Sequence, residues 1–210
     1  MIVTRATISP KVGAYGEIEN MVKTWVDEWN GQGHRVAGTK SIWGAFGTKF
    51  HIANFYDSVA DADDARRKIS TTDSFKNVAA TLASLVDAPT GWTLSEIIVR
   101  PARMASMKYA LRVALTPALG KNAEMRAVCT DWVNYLGSVN ANAGLAEQIW
   151  SATGGSFSIR LPHDSLGDAD DARNRTISSP EYKSFTEKLL PTMAGQPRWE
   201  VLETIASPSI

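Results

Sequence analysis

Short segments in which apolar and polar residues alternate mark the predicted strands of this chain. The segments 3–8 and 109–115 alternate in this way, and they stop at Pro10 and Pro117. A period of two residues is typical of a strand with one buried face. The same pattern predicts strands over 39–46, 49–56, 92–99, 157–161 and 199–206, with hairpin turns at Gly47-Thr48 and Gly154-Gly155.

Amphipathic segments predict the helices. In the segment 14–29, the apolar residues that share one helical stripe are Ile18, Met21, Val22, Trp25 and Trp29. The segment 123–136 has the same character. A second helix in each half begins at an acidic segment, breaks, and resumes. In the second half, Ser179-Pro180-Glu181 favours such a restart, because serine caps a helix and proline fits its first position.

The chain contains an internal repeat. Asp-Ala-Asp-Asp-Ala-Arg occurs at 61–66 and again at 168–173, an offset of 168 − 61 = 107 residues. The same offset aligns the remainder of the two halves without a gap, which indicates a domain duplication rather than a solenoid repeat. We therefore predict one repeat over 1–100, a second over 108–210, and a linker over 101–107.

Each repeat reads β-α-β-β-α-β, which is the element order of the ferredoxin-like α+β fold. One such unit leaves a face of its sheet uncovered. Burial of apolar surface stabilises a protein by roughly 25 cal/mol per Å², so the uncovered face needs a partner. A second copy in the same chain supplies one. The predicted fold is two tandem ferredoxin-like repeats packed sheet to sheet as a single-chain barrel with helices outside.

Composition narrows the function classes. The formal net charge is +0, so the chain lacks the basic surface that nucleic-acid binding requires. No run of eighteen apolar residues predicts a membrane span. Cys129 is the single cysteine, which leaves no internal disulfide or cysteine-rich metal site and fits a cytoplasmic protein.

Four basic side chains are predicted to point into the space between the two sheets. Strand alternation puts Arg5, His51, Arg112 and Arg160 on the face opposite the apolar residues. A buried charge needs a partner, and Glu96 and Glu203 are the acids that both repeats retain on neighbouring strands. Two interpretations stay open. In the first, Arg5–Glu96 and Arg112–Glu203 are structural ion pairs. In the second, the guanidinium groups bind an anion or a carbonyl of a ligand.

His51 is the sharper candidate for chemistry, because its counterpart in the second repeat is Ser158. A histidine can exchange a proton near neutral pH or ligate haem iron. The alternative is a hydrogen-bonded interior histidine with no catalytic role. His163 follows a strand and precedes Asp164, so we expect it to be a loop residue.

Aromatic residues and acidic segments each allow two interpretations. Trp43 and Trp150 are retained in both repeats and are expected either to fill the core or to form a flat wall for an aromatic ligand. Phe55 shares the inward face with His51. The acidic segments lack the glycine and terminal glutamate of a calcium loop, so we expect them to start helices. No metal site is predicted.

The segments 55–82 and 160–190 resemble the dimeric α+β barrel superfamily, especially its monooxygenase-like, NIPSNAP-like and stress-responsive branches. The resemblance rests on a strand, an acidic helix start and a helix of the type Ser-Pro-Glu-Tyr-Lys-Ser-Phe that ends in Leu-Leu-Pro. It implies a cavity between sheet and helices or inside the barrel. It also implies activities that range from cofactor-free oxygenation and haem degradation to isomerisation and cyclisation. The catalytic motif of any one branch is not visible.

Three functions follow as hypotheses. The first is an enzyme that acts on a small apolar or aromatic molecule in the barrel without a cofactor, by proton transfer in an oxygenation, isomerisation or cyclisation. His51, Arg5 and Arg112 would be catalytic. The substrate-binding residues would be Arg160, Glu96, Glu203, Trp43, Trp150 and Phe55. The second is a haem-dependent enzyme with His51 or His163 as axial ligand. The third is a non-catalytic ligand-binding or stress-response protein. The chain would be a monomeric pseudo-dimer or a homodimer.

Overall fold

The computed structural model describes residues 1–44, 47–102, 107–150 and 155–207. The first half contains β1 (Ile2–Ile8), α1 (Tyr15–Gly31), β2 (Val36–Gly44), β3 (Phe50–Tyr56), α2 (Val59–Ser70), α3 (Asp73–Leu85) and β4 (Gly91–Val99). The second half repeats this order with β5 (Tyr109–Leu115), α4 (Asn122–Ser138), β6 (Gly144–Trp150), β7 (Phe157–His163), α5 (Leu166–Ile177), α6 (Pro180–Leu189), a 3-10 turn (Leu190–Thr192) and β8 (Arg198–Ala206). The end of the predicted strand 39–46, Gly154 of the second hairpin and most of the predicted linker lie outside the described residues.

The eight strands form one closed antiparallel barrel in the order β1-β3-β2-β8-β5-β7-β6-β4, with β4 returning to β1. Within each half the order is that of a ferredoxin-like sheet. The halves meet edge to edge, through β2 with β8 and β4 with β6. Backbone groups at a sheet edge are unpaired, and closing a barrel satisfies them. The expected α+β fold is confirmed, and hydrogen-bonded edges join the two sheets.

The seam between β2 and β8 contains register shifts, and it brings the two backbones unusually close at Gly44. Gly44 has φ +136°, a conformation that side chains rarely adopt. A Cβ atom there would lie 2.3 Å from the carbonyl oxygen of Trp199. The seam therefore requires glycine at this position.

The helices cover the outside of the barrel and form two apolar cores. In the first half, α1 buries Ile18, Val22, Trp25, Val26 and Trp29. These side chains pack with the outward face of β1 and β3 and with Leu82 of α3. In the second half, α4 packs in the same way through Met125, Cys129, Trp132, Val133 and Leu136. The predicted helix stripes are confirmed, with Met21 partly buried at the edge of the first core.

The acidic segments start helices, as expected. The backbone N–H of Asp61 donates to Ser58 Oγ, and Asp61 accepts from the backbone N–H of Ser58 in return, which completes a capping box. Ser165 caps α5 through one of these two contacts, with its Oγ accepting from the backbone N–H of Asp168. The break in the second helix of each half is also confirmed, because Thr72 and Ser179 cap α3 and α6. Across the described residues, no helix is long and apolar enough to cross a bilayer.

We predict that Trp25→Ala lowers the free energy of unfolding by about 3–5 kcal/mol, because Trp25 is 8% exposed and its removal leaves a cavity. Trp25 also packs edge-on against Trp29 and Phe75 at 5.7 Å and 5.9 Å between ring centroids. Chemical denaturation of the two proteins measures the difference. Trp43→Ala is the matched control: Trp43 is 63% exposed, so the change should stay within about 0.5 kcal/mol. A loss below about 1 kcal/mol for Trp25→Ala would contradict the packing of α1.

Candidate functional site

The barrel interior gathers the basic side chains that alternation placed on the inward face. Arg5 is opposite Ala53 on β3, and Thr7 is opposite His51. On the other side of the barrel, Arg112 is opposite Arg160. Arg5 and His51 are buried, at 7% and 4% exposure. The structure therefore brings together Arg5, His51, Arg112 and Arg160 near the barrel axis.

Glu200 of β8 is the carboxylate at the centre of this group. It is 1% exposed and forms an ion pair with Nη1 of Arg112. Ser41 Oγ donates to Glu200 Oε2 at 2.7 Å, and His51 Nε2 lies 3.8 Å from the same oxygen. Burial alone would raise the pKa of Glu200. The contacts with His51, Arg112 and Ser41 outweigh burial and hold that pKa well below its usual range.

His51 is satisfied as a neutral imidazole. Ser41 already donates its hydroxyl proton to Glu200, so the hydroxyl oxygen, 3.4 Å from His51 Nε2, is left to accept. Thr7 Oγ1 lies 3.1 Å from Nδ1 and can donate to it. These contacts assign the proton to Nε2. Burial lowers the pKa of His51 to about 4, against the opposing effect of Glu200 and with help from Arg5. Both ring nitrogens are thus engaged within the barrel.

The two repeats differ at the position that pairs the arginine. Arg112 is opposite Glu200 in the register of β5 and β8. Arg5 is opposite Thr93, the counterpart of Glu200 in the first repeat, since 93 + 107 = 200. Arg5 Nε is buried and has no hydrogen-bond partner. Burial, followed by repulsion from Arg160 and Arg112, lowers the pKa of Arg5 well below its usual value.

The expected pairs Arg5–Glu96 and Arg112–Glu203 are wrong. Glu96 contacts Arg126 of α4 at 3.4 Å, and Glu203 contacts Lys40 at 3.3 Å. Both acids occupy the strand positions that face the helices. Side chains alternate along a strand, and Glu200 is an odd number of residues from Glu203, so the two point to opposite faces.

The expectation that Trp43 and Trp150 pack in the core is also wrong, while a role as a wall for an aromatic ligand stays a prediction. They are 63% and 68% exposed at the ends of β2 and β6. Phe55 is half-buried on the inward face of β3. Retention in both repeats therefore did not indicate burial for the two tryptophans.

The apolar cavities lie outside the barrel, between the sheet and the helices. In the first half, a cavity of about 250 Å³ is lined by Ala6, Ile8, Trp25, Phe75, Ala79 and Leu82, among others. An equivalent cavity in the second half has about 80 Å³ and is lined by the counterparts Val113, Leu115, Trp132, Tyr182, Thr186 and Leu189, with others. The second-half cavity is smaller because three lining residues are larger than their counterparts: Val113 replaces Ala6, Tyr182 replaces Phe75 and Thr186 replaces Ala79. We name the second cavity the inner chamber.

A polar pocket of about 440 Å³ adjoins the inner chamber, and we name it the outer pocket. Trp132, Leu161, His163 and Thr176 line both spaces. The other polar lining residues of the outer pocket are Asn140, Asn142, Asp164, Asp168, Arg175 and Ser179. The second half thus combines an apolar recess with a polar entrance. Among the described residues that line the first-half cavity, Thr90 is the one with a side-chain hydroxyl, and the others are apolar or aromatic.

His163 stands where the two spaces meet. It is the last residue of β7 and is half-buried, which corrects its expected place in a loop. Its Nε2 atom is buried and has no hydrogen-bond partner. Burial lowers the pKa of His163, while Asp168 and Asp164 act in the opposite direction. The imidazole is therefore neutral at pH 7, and two acids can stabilise the cation that forms when it accepts a proton.

Sequence reasoning favoured His51 over His163, although both satisfy the same criterion. Each histidine occurs in one repeat alone: the counterpart of His163 is Tyr56, since 56 + 107 = 163. The criterion that singled out His51 could therefore have found His163. The difference is access, because none of the three cavities is lined by His51 and two are lined by His163.

Haem does not fit these spaces. His163 Nε2 could serve as an axial ligand, since it has no competing partner. The inner chamber, at about 80 Å³, is far below even the 300 Å³ or more typical of pockets for drug-sized ligands. The outer pocket has more room, but its lining presents two acids, Asp164 and Asp168, and one arginine, Arg175, to the two carboxylates of a haem. Across the described residues, no group of three or more His, Cys, Asp or Glu side chains could hold a metal ion.

Comparisons with known proteins support the fold. No protein-family model matches the chain, and no curated protein matches it by sequence. A Fusobacterium nucleatum protein provisionally assigned as a monooxygenase has a TM-score of 0.71 at 10% identity, over 98% of this chain and 95% of that one. An anthrone oxidase-like protein has 0.70 at 11%, over 97% and 90%. A Lactobacillus acidophilus protein, also provisionally assigned as a monooxygenase, has 0.66 at 10%, over 98% and 97%. The chain shares the dimeric α+β barrel fold with these proteins.

We predict that acid weakens the fold partly through His51. The pKa of His51 is about 4 in the folded protein, against 6.5 for a solvated histidine, so the unfolded state binds its proton first. The contribution of the neutral imidazole is complete above pH 6.5 and is lost as the pH falls towards 4. Between pH 7 and pH 5 this loss is about 2 kcal/mol.

The test measures urea unfolding of the wild-type protein and of His51→Gln at pH 7, 6 and 5. Glutamine does not titrate, so the free-energy gap between the two proteins should narrow by about 2 kcal/mol over this range. His51→Asn is a second variant, and its gap should narrow by the same amount, because asparagine does not titrate either. A constant gap for His51→Gln would show that His51 has the same pKa in the folded and unfolded states.

Proposed function

We propose that the protein is an enzyme that takes a small aromatic or apolar molecule into the inner chamber of the second half and moves a proton with His163. The observation that carries this proposal is the unpartnered, buried Nε2 of His163 at the boundary of an apolar recess and a polar pocket. A free imidazole nitrogen in such a place is suited to general base catalysis. The proposal moves the reaction from the barrel interior, where it was first expected, to the space between sheet and helices.

The lining of the two spaces favours a substrate with one apolar and one polar end. Trp132, Tyr182 and Phe185 line the inner chamber, and the rings of Trp132 and Phe185 are stacked with centroids 4.7 Å apart. Such walls suit a flat ring, which binds by burial and ring contacts. The larger outer pocket offers amide, hydroxyl and carboxylate groups to the polar end. His163 would then lie beside the junction of the two ends.

Proton transfer at this junction would generate an electron-rich anion. A phenol, enol or activated CH₂ group that loses a proton to His163 becomes a phenolate, enolate or carbanion. Asp164 and Asp168 would stabilise the resulting imidazolium. Isomerisation or cyclisation can proceed from that anion directly. In an oxygenation the anion would react with dioxygen: a CH₂ group becomes a carbonyl with one oxygen atom, and the other oxygen leaves as water with the two hydrogens.

The comparisons favour the oxygenation among these reactions. Two of the proteins that share the fold are provisionally assigned as monooxygenases, and a third is described as anthrone oxidase-like. The reaction class is drawn from them by analogy of fold, whereas the position and role of His163 are drawn from this chain. A tricyclic anthrone is larger than the inner chamber, so it would place one ring there and the remainder in the outer pocket, and it is the first substrate to test.

We predict that His163→Gln lowers kcat for oxidation of an anthrone by about 10²- to 10⁴-fold, the usual contribution of a general base. Oxygen uptake and formation of the carbonyl product measure the rate. His34→Gln is the matched control, because His34 is a half-buried histidine that contacts an aromatic ring, Trp29, and lines none of the three cavities. Its turnover should be that of the wild-type protein.

The pH dependence adds an independent check. The pKa of His163 is lowered, so the base is unprotonated at neutral pH, and activity should be level through pH 7 and fall only below pH 6.5. Equal turnover in the wild-type protein and His163→Gln would refute the role of His163. Saturable binding of aromatic ligands with no turnover of anthrones, phenols or enols would instead identify a binding protein. A Soret band on addition of haemin would show that the protein binds haem.

A further inference from the structure

The centre of the barrel carries more positive than negative charge. Arg5, Arg112 and Arg160 interact electrostatically with one another and with one carboxylate, Glu200. His51 adds no charge at pH 7, because burial lowers its pKa to about 4. Three guanidinium groups and one carboxylate leave an excess of two positive charges, and of these groups Arg5 and Glu200 are buried while Arg112 and Arg160 are half-buried.

Two of the three guanidinium groups lack an acidic partner. Arg112 is paired with Glu200, and its Nε donates to Ser158 Oγ at 3.2 Å. Among the described residues, no carboxylate oxygen lies within 4.0 Å of Arg5 or of Arg160. Arg5 is 7% exposed, and its buried Nε has no hydrogen-bond partner. An unpaired charge that is shielded from water destabilises the fold, so a bound negative charge would stabilise this arrangement.

We propose that the barrel binds a small oxyanion between Arg5 and Arg160. The two side chains come from β1 and β7, which are three strands apart around the eight-stranded barrel. Their register neighbours are small: Ala53 is opposite Arg5, and Gly144 is opposite Arg160. The small side chain of Ala53 leaves space beside Arg5, whereas the Gly144 position opposite Arg160 is packed against Pro101. The site is separate from His163, which faces the helices at the end of β7.

The chemistry of arginine selects the class of anion. A guanidinium group presents planar, paired N–H donors that match the oxygens of a carboxylate or a phosphate. Inside the barrel, the strength of such charge-assisted bonds is increased by the low local dielectric. A carboxylate and inorganic phosphate share this recognition, and they differ in shape. A monatomic anion such as chloride cannot make the bidentate contact, so we expect it to bind more weakly.

The protein is first dialysed into a buffer without phosphate or carboxylates. Its melting temperature is then measured at rising concentrations of phosphate, acetate or chloride, with the ionic strength held constant. An anion that binds only the folded protein should raise Tm by roughly 3–6 °C for each tenfold increase above its Kd. Phosphate and acetate distinguish a tetrahedral from a planar ligand. Chloride at equal ionic strength controls for general screening.

Arg160→Gln should abolish this response, and without anion its Tm should be at least that of the wild-type protein, because one uncompensated charge is gone. Arg35→Gln is the matched control, since Arg35 forms an exposed ion pair with Asp57 at 2.8 Å, outside the barrel. It should keep the full response. Equal responses in Arg160→Gln and the wild-type protein would overturn the proposal. If Arg160→Gln does not fold, calorimetric titration of the wild-type protein decides: a saturable 1:1 heat with phosphate or acetate supports the site, and its absence refutes it.

Discussion

The architecture depends on the requirement that every strand edge be paired. A ferredoxin-like unit has two exposed edges, and each carries unpaired backbone donors and acceptors. Here the edges of one half pair with those of the other, through β2 with β8 and β4 with β6. Closure of the ring separates two environments, a narrow interior and an outer surface that the helices cover. Each candidate functional residue therefore lies either in the interior, as Arg5 and His51 do, or on the outer surface beneath the helices, as His163 does.

Alternation along the strands then sorts the side chains. Large apolar residues on the outer face meet the helices and leave cavities between sheet and helix. Polar and charged residues on the inner face meet one another. The interior is held by a network in which Glu200 contacts Arg112, Ser41 and His51. The interior is therefore lined by charged and polar groups, whereas the cavities outside the barrel are lined largely by apolar side chains.

The two halves differ at the positions that are proposed to be functional. Where the second half has Glu200 against Arg112, the first has Thr93 against Arg5. Where the second half has His163 between its two cavities, the first has Tyr56. A shared fold requires the two halves to keep common packing positions, such as the tryptophans of α1 and α4. It does not require common chemistry, so each half can supply a function that the other lacks.

The sequence by itself determined the similarity of the two halves, the order of elements, the helix stripes and the inward direction of Arg5, His51 and Arg112. Each of these follows from local periodicity or from an alignment of the chain with itself. Tertiary structure alone decided which acid pairs with which arginine. Pairing depends on register between strands far apart in the chain, and a retained acid such as Glu203 can lie on the wrong face. Cavity positions were equally inaccessible, because they depend on how side chains from the sheet and several helices fill a shared volume. For that reason the base proposed for the reaction moved from His51, which is enclosed, to His163, which lines open space.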